Sequence, residues 1–241
     1  MMKHLFENWR EYVAKEEQES LVLSEARIEE ILGLQRGAFA LGDPEEGTEE
    51  EYQEKADKAW EHLSQYQSDI ARAASEQGIE PELLIGILMD EYIRMYPRAL
   101  GDVFGYLGLM SASMGLGQVK GDTARKLSEE GYYTPPGYSP DMSLGELQRL
   151  IADNPEVGIN YAAAFIKYTD DLWGEEVWES VPEENKNAIL LTLYSLGNKG
   201  LRKPGSEEWE ARGGPQPSKR GTQSSTAGRK RAQKIRHGIE D

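Results

Sequence analysis

The sequence predicts a mainly α-helical protein, and three observations support that fold class. Apolar residues recur at the three- and four-residue spacing of a helix over most of the chain, and two such stretches open with a Ser/Thr-x-x-Glu capping box. Alternating strand patterns are few. We therefore expect a helical body at 48–200 with a small loop or hairpin region. An N-terminal helical segment with an acidic linker (1–47) precedes this body, and a basic, disordered tail (201–241) follows it.

The first predicted elements are two helical pieces at 3–36 and an acidic linker at 41–51 that contains Gly and Pro. From Thr48 the apolar spacing predicts one long amphipathic helix. Thr48 and Glu51 form its capping box, and Gly78 ends it. Because the linker is expected to be solvated, the folded body should begin at this helix.

Six further elements are predicted before residue 200. Pro81 opens a helix that runs to about Tyr96, where Pro97 ends it, and 99–118 is an ordered loop or short hairpin. Four helices follow: a short one closed at Gly131, one opened by a Ser143–Glu146 capping box, an apolar one at 157–173, and a last one between Pro182 and Gly197.

Charge is unevenly distributed along the chain. Residues 201–241 hold ten Lys and Arg against five acids, whereas the whole chain carries −16, so residues 1–200 carry −21. An acidic body argues against a nucleic-acid partner, which a basic face would attract. The tail is polar and rich in Gly, Ser and Pro, which predicts disorder. It is either a solvated extension or a segment that contacts anionic polymers.

Most cofactor and metal chemistries find no support in the sequence. Cysteine is absent, and His4, His62 and His237 are too scattered for a zinc cluster or a Ser–His–Asp triad. Neither a phosphate-binding Gly-rich loop nor a dinucleotide fingerprint occurs. We expect no metal and no cofactor, which leaves carboxylate chemistry for an enzyme.

The start of the chain has Lys3 and Arg10 but no apolar stretch, so it does not resemble a Sec signal peptide. The strongest apolar run, at 83–89, has seven residues and is too short to span a membrane. We therefore expect a soluble protein made in the cytoplasm.

Glu91 is the acidic residue that fits its surroundings least. On a helix it continues the apolar stripe of Leu84, Ile87 and Leu88. A carboxyl group there is partly desolvated, which favours its protonated form and would let it donate a proton near neutral pH. The alternative is an ordinary ion pair with Arg94 or Arg98 at the end of the helix.

Gly115, Gly117 and Gln118 form a second candidate site. The glycines let backbone approach a ligand closely or adopt a positive φ, and the glutamine amide can bind sugar hydroxyls and N-acetyl groups. A plain glycine-bearing turn between helices is the alternative.

Aromatic residues are interpreted in two ways. Trp173 and Trp178 are expected in a core or an interface. Five tyrosines would either stack on sugar rings or pack beside the cleft: Tyr92, Tyr106, Tyr132, Tyr133 and Tyr138.

Four segments, in order, resemble the soluble lytic transglycosylase and goose-type lysozyme superfamily (glycoside hydrolase family 23-like). They are "MDEYIR", "SASMGLGQVKGDTA", "NPEVGINYAAAFI" and "LLTLYSLGNKG", and the resemblance covers about 80–200. It departs from the family in an insertion between acid and loop, in a shortened glycine–glutamine stretch, and in "SLGN" after the last tyrosine. Its residue matches are the acid Glu91, the loop residues Ser113, Gly115, Gly117 and Gln118, the following Thr123–Ala124, and Tyr194.

This resemblance implies a lysozyme-like helical fold and cleavage of the β-1,4 bond between N-acetylmuramic acid and N-acetylglucosamine, with Glu91 as the acid. Peptidoglycan strands would be the partner. A transglycosylase would form a 1,6-anhydro product. A lysozyme would use water, and an inverting one needs a second carboxylate, for which Asp102 and Asp122 are candidates; Asp122 could equally cap its helix.

Delivery to the cell wall would then need phage lysis, a virion or a secretion system. The opening of the chain also resembles the starts of some tailed-phage structural proteins.

Two alternatives stay open. One is a catalytically inactive lysozyme-like structural or virion protein that binds a partner through its N-terminal helices. The other is an unrelated helical interaction protein.

Overall fold

The computed structural model describes residues 48–94, 113–179, 181–195 and 217–237. These ranges form a mainly α-helical body in which no helix is both long and apolar enough to cross a membrane. The elements in chain order are α1 (Glu49–Leu63), α2 (Gln67–Gln77), α3 (Pro81–Ile93), β1 (Ser113–Met114), β2 (Val119–Lys120), α4 (Gly121–Glu129), α5 (Leu144–Asp153), α6 (Pro155–Glu179), α7 (Glu183–Ser195) and α8 (Lys219–Arg236). The predicted helical pieces at 3–36, most of the acidic linker and most of the loop at 99–118 lie outside the described residues.

The prediction of one uninterrupted helix from Thr48 to Gly78 is wrong. A 3-10 turn at Ser64–Tyr66 separates α1 from α2. There two side chains bond to nearby backbone: Ser64 Oγ donates to the carbonyl of Glu61, and Gln65 Nε2 donates to the carbonyl of His62, each at 3.0 Å. Such local bonds offer the backbone an alternative to the regular helix. The interruption lets α1 and α2 both pack against α3.

Three predicted helix ends are confirmed, whereas α3 ends at Ile93, before the predicted Tyr96. Thr48 and Glu51 form the capping box of α1, and Ser143 and Glu146 form that of α5. Gly78 ends α2 with a φ of 64°, in the left-handed region that favours glycine. Short polar motifs therefore located these boundaries, because each satisfies backbone groups that a helix end leaves unpaired.

The central element of the described body is α3. Every residue from Leu83 to Ile93 is buried, and α1, α2, α6, α7 and α8 all pack around the helix. A helix that is apolar all round is expected in such a position. The carboxylates near its C-terminal end are consequently enclosed by other helices.

Two short strands form an antiparallel hairpin, in which Ser113 pairs with Lys120 and Met114 with Val119. The turn between them is Gly115–Gln118, called here the glycine–glutamine turn. The predicted short hairpin is therefore confirmed within the described part of 99–118. Both α5 and α6 contact it, so the turn rests on helices.

The long helix α6 bends at Gly174, whose φ of 69° and ψ of 167° are not helical. Trp173 precedes the bend, is buried, and stacks on Trp178 with ring centroids 4.8 Å apart. Ile189 and Leu193 of α7 complete this cluster. The predicted packing role is confirmed for both tryptophans, because Trp178 packs against the cluster even though it is only part-buried.

The predicted disorder of the tail is wrong for Lys219–Arg236, which forms α8. Ser218 caps the helix by accepting a bond from the Gly221 backbone at 3.0 Å. Small residues at helical spacing form its buried face: Gly221, Ser224, Ser225, Ala227, Gly228 and Ala232. The composition that predicted disorder therefore serves close helix packing, and α8 contacts both α3 and α7.

Glycines set how closely these helices approach. A Cβ at Gly228 would lie 2.8 Å from the backbone nitrogen of Gly86 on α3, which is closer than side chains permit. A Cβ at Gly221 would lie 3.0 Å from the backbone nitrogen of Thr192 on α7. Backbone-to-backbone contact of this kind brings the first turn of α8 next to the carboxylates of α3.

Candidate functional site

Two consecutive carboxylates, Asp90 and Glu91, lie buried near the C-terminal end of α3. Their side chains are 4% and 6% exposed. Sequence analysis singled out Glu91 as a carboxyl group on an apolar stripe, and the structure shows that it is buried. A buried charge requires a partner, because transfer of an isolated ion out of water is costly.

That partner comes from α8. The guanidinium of Arg220 lies 2.5 Å from Asp90 Oδ2, and its Nη2 donates to Glu91 Oε1 at 2.7 Å. One arginine therefore bridges both carboxylates, across 129 residues of sequence in the case of Glu91. Planar guanidinium groups suit such bridging because their donors point in fixed directions.

Arg94 and Tyr52 complete the surroundings of Asp90. Arg94 Nε donates to both carboxylate oxygens at 3.1 Å, and the Tyr52 hydroxyl donates to Oδ1 at 3.0 Å. Ser224 Oγ of α8 lies 3.2 Å from the same hydroxyl. We call Asp90, Glu91, Arg94 and Arg220 the ionic cluster; its formal charges, two negative and two positive, balance.

The cluster and its burial shift two pKa values in directions that agree with these contacts. Burial alone would lower the pKa of Arg220, but Asp90 and Glu91 outweigh burial and raise it above its ordinary value. Burial, with the charge of Asp90 beside it, raises the pKa of Tyr52 well above its ordinary value. Arg220 therefore stays charged and Tyr52 stays neutral at any physiological pH.

Two contacts bear on the ion pairs that sequence analysis left open. Arg94 binds Asp90, one turn before it, and Glu91 binds Arg220. Arg98 lies outside the described residues. The missed residues are Arg220 and Tyr52. The helical spacing of Gly221, Ser224 and Gly228 could have indicated a packed helix, but it does not identify Arg220 as the partner of Asp90 and Glu91.

Replacing Tyr52 by Phe is expected to lower the free energy of unfolding at neutral pH by about 1–3 kcal/mol, because a buried carboxylate oxygen loses a donor. Above pH 10 the difference in the free energy of unfolding between wild type and Tyr52→Phe should shrink. The wild-type Tyr52 has a raised pKa when folded, so the stability it contributes is complete below its unfolded value of 10.0 and is lost as pH rises beyond it. Urea unfolding from pH 7 to 11 measures both effects; a constant difference would contradict this account.

The glycine–glutamine turn is held against three helices, α5, α6 and α7. Tyr194 of α7 donates its hydroxyl proton to the Gly117 carbonyl at 2.5 Å, and a Cβ on Gly117 would lie 2.6 Å from that of Ala162 on α6. Gly115, whose φ is 69°, lies over Ile151 of α5. The turn, α6 and α7 thus meet at one point, although they are far apart in sequence.

Gln118 is the least relaxed residue of this turn. It is the one non-glycine residue with a positive φ (49°) among those the structure describes, and it is only 7% exposed. Its Nε2 donates to the Gly115 carbonyl at 3.0 Å, whereas the buried Oε1 accepts no hydrogen bond within the described chain. An unpaired buried acceptor on a strained backbone is a common mark of a ligand site.

The other predicted residues are distributed as follows. Ser113 lies in β1, opposite Lys120. Thr123 and Ala124 are buried in α4. Asp122 is exposed in the first turn of the same helix, and the N-cap position belongs to Lys120, so the alternative of Asp122 as the N-cap is wrong. Asp102 lies outside the described residues.

Of the five tyrosines considered for stacking on sugar rings, the structure describes four, and three of these pack against another aromatic ring. Tyr92 stacks on His62, Tyr132 meets Tyr168 edge-on, and Tyr133 meets Tyr161 edge-on, with ring centroids 4.9, 5.5 and 4.9 Å apart. Tyr138 lies in the turn after Pro135, and Tyr106 is outside the described residues. Packing within the protein thus occupies part of these rings.

Within the ranges that the structure describes, no three His, Asp or Glu side chains come together as metal ligands. The chain matches no protein-family model, no curated protein and no solved structure in comparisons with each. The class that the fold defines is therefore a mainly α-helical protein.

Proposed function

We propose that this chain is a peptidoglycan-cleaving glycosidase that acts on the β-1,4 bond between N-acetylmuramic acid and N-acetylglucosamine, with Glu91 as the general acid. Gln118 is the observation that carries the proposal. Its buried Oε1 is an acceptor without a partner in the described chain, on a residue held at a φ of 49°. An amide oxygen of this kind suits a sugar hydroxyl or the N–H of an acetamido group.

The setting of the turn supports the same proposal. Tyr194 fixes the Gly117 carbonyl, and Gly158 and Ala162 leave room for the turn on α6. The resemblance groups these segments around one sugar-binding cleft. A turn clamped from two sides presents its polar groups in a fixed geometry, which lowers the cost of ordering them around a ligand.

Glu91 would protonate the leaving oxygen as the glycosidic C–O bond breaks. In a transglycosylase the muramyl 6-hydroxyl would then attack the anomeric carbon and give its proton to the same residue, forming a 1,6-anhydro product. In a lysozyme, water would attack instead. Asp122 is exposed on α4 and remains a candidate second carboxylate for an inverting enzyme.

A second candidate function is a catalytically inactive lysozyme-like structural or virion protein. The ion pair between Arg220 and Glu91 favours it, because a guanidinium 2.7 Å from Glu91 Oε1 already engages this carboxylate in a contact between α3 and α8. In such a protein the ionic cluster would serve the fold alone.

Digestion of purified peptidoglycan, with mass spectrometry of the products, tests the proposal. Wild type should release muropeptides. Glu91→Gln should release them at a rate at least about 100-fold lower, because the substitution removes the acid. Anhydro products would identify a transglycosylase, and reducing-end products a lysozyme. The matched control is Glu82→Gln, which changes an acid on the same helix that pairs with the exposed Arg236.

Equal rates for wild type and Glu91→Gln would remove Glu91 from the mechanism. No product from folded wild type would favour the inactive protein.

A further inference from the structure

We propose that the outward side of α8 binds a linear polyol phosphate chain, an anionic polymer of the kind that is attached to cell-wall glycan. We call this side of the helix the basic face. Its exposed members share one side of the helix through their spacing, and they are Lys219, Thr222, Arg229, Lys230 and Gln233. The binding of a polyanion is argued from the charges of α8, whereas the choice of a cell-wall polymer rests on the proposed function.

The charged residues of α8 all have one sign. Lys219–Arg236 contains seven Lys and Arg residues and no Asp or Glu. Three of the arginines form ion pairs with acids of α1 and α3, and these are Arg220, Arg231 and Arg236. The inward side and one edge of α8 therefore neutralise acids of the protein itself, and the outward side adds further positive charge.

Arg229 and Lys230 form the centre of the basic face. Both are exposed, and neither forms an ion pair with a residue in the ranges that the structure describes. Two adjacent cations repel each other, so a phosphate that approaches both relieves this repulsion. Lys219 extends the positive surface by about 16 Å along the helix axis. A surface of this length suits a chain of phosphates better than a single free phosphate ion.

The basic face also offers uncharged polar groups to the polyol part of such a chain. The Thr222 hydroxyl donates to the Ser218 carbonyl at 3.1 Å, so its oxygen can still accept a hydrogen bond from a polyol hydroxyl. Gln233 has an exposed amide with both donors and an acceptor. Cations and neutral polar groups therefore share this surface, as phosphates and hydroxyls share the polymer.

Other polyanions fit the basic face less well. The exposed residues of α8 are all polar, whereas a helix that binds a membrane surface needs apolar residues to enter the lipid. No aromatic residue occurs in α8 on which the bases of a single strand could stack. A nucleic-acid duplex would extend over α1, which packs beside α8 and holds six acids against two lysines. A thin chain without bases is therefore favoured.

The position of the basic face relates it to the proposed reaction. The face begins at Lys219, next to Arg220, whose guanidinium contacts Glu91. A polymer bound along α8 would hold the attached glycan strand close to the proposed acid and so raise the local concentration of substrate. The acidic helices around α8 repel the same polymer, which confines it to this side of the protein.

The test compares three full-length proteins: wild type, an α8 variant with Arg229→Gln and Lys230→Gln, and a control with Lys58→Gln and Arg149→Gln. The control loses the same two charges from α1 and α5, so its net charge equals that of the α8 variant. Fluorescence anisotropy measures binding of labelled poly(glycerol phosphate) between about 50 and 200 mM salt. Circular dichroism checks that both variants keep their helices.

The α8 variant should bind the polymer with an affinity at least about tenfold lower than wild type, because two cations that face phosphates are lost. The slope of log affinity against log salt should become shallower by about one to two, since fewer counterions are released. The control should match wild type in both quantities. Equal binding by the α8 variant and the control, or no binding by wild type, would refute the inference.

Two comparisons complete the test. Wild type should bind poly(glycerol phosphate) more tightly than polyuridylate or phosphatidylglycerol vesicles, and the reverse order would refute the choice of partner. The α8 variant should digest cell wall that carries the polymer more slowly than wild type does, and stripped peptidoglycan equally fast. Equal digestion of the polymer-bearing wall refutes the role of α8 and leaves the proposed function intact. Polymer binding without muropeptide release from either substrate refutes the proposed function and leaves the binding site intact.

Discussion

Asp90→Ala is expected to lower the free energy of unfolding by about 3–5 kcal/mol, which is the largest effect foreseen for a single side chain of this fold. Asp90 is the partner of two buried or largely buried arginines, Arg94 and Arg220, and it accepts a bond from Tyr52. Its loss leaves Arg94 without this carboxylate, removes one of the two carboxylates that Arg220 bridges, and takes away the acceptor of the Tyr52 hydroxyl. Urea unfolding at pH 7, read by circular dichroism, measures the change.

The matched control is Glu130→Ala, which breaks a surface pair with Lys126 whose side chains are 42% and 52% exposed. That change should stay within about 0.5 kcal/mol, because solvent screens such pairs. A loss below about 1 kcal/mol for Asp90→Ala would mean that water enters the cluster and solvates the arginines.

Gly228→Val should cost about 3 kcal/mol or more, because the close crossing of α3 and α8 leaves no space for a side chain. A Cβ there would lie 2.8 Å from the nitrogen and 2.9 Å from the Cα of Gly86. These neighbours are backbone atoms, so they cannot rotate aside. The helices would have to separate, and Arg220 would be drawn away from Asp90 and Glu91 at the same time.

The control Gln233→Val places the same side chain on the exposed face of α8 and should cost less than about 1 kcal/mol, from helix propensity alone. Thermal unfolding of both variants compares them. Similar costs at the two positions would show that α8 is not held at the glycine crossing.

Local sequence patterns predicted the helix boundaries well. Thr48, Ser143 and Gly78 act through backbone groups a few residues away, so a short stretch of sequence contains the whole interaction. The break at Ser64–Tyr66 was missed because an amphipathic spacing continues on both sides of it. A 3-10 turn changes the direction of the chain, but the polar and apolar residues on both sides of it keep their helical spacing.

The helix α8 was missed for a different physical reason. Glycine and serine are poor helix formers, and their abundance ordinarily indicates disorder. At Gly221, Ser224 and Gly228 the same residues permit close contact with α3 and α7, and that gain depends on surfaces outside the helix, of which that of α3 lies more than a hundred residues away. The burial of Glu91 could be predicted from its own helix, whereas its partner Arg220 could not, since no local pattern joins them.

The distance in sequence between Asp90 and Arg220 has a consequence for the order of events at the ribosome. After Asp90 is made, a growing chain must extend by 130 residues to reach Arg220. At about 5–20 residues per second this delay is roughly 6–26 seconds. During that interval Gly86 of α3 lacks the α8 backbone that packs against it, and Asp90 and Glu91 lack their shared cation. In nascent chains halted within this interval, α3 would therefore be accessible to chaperones.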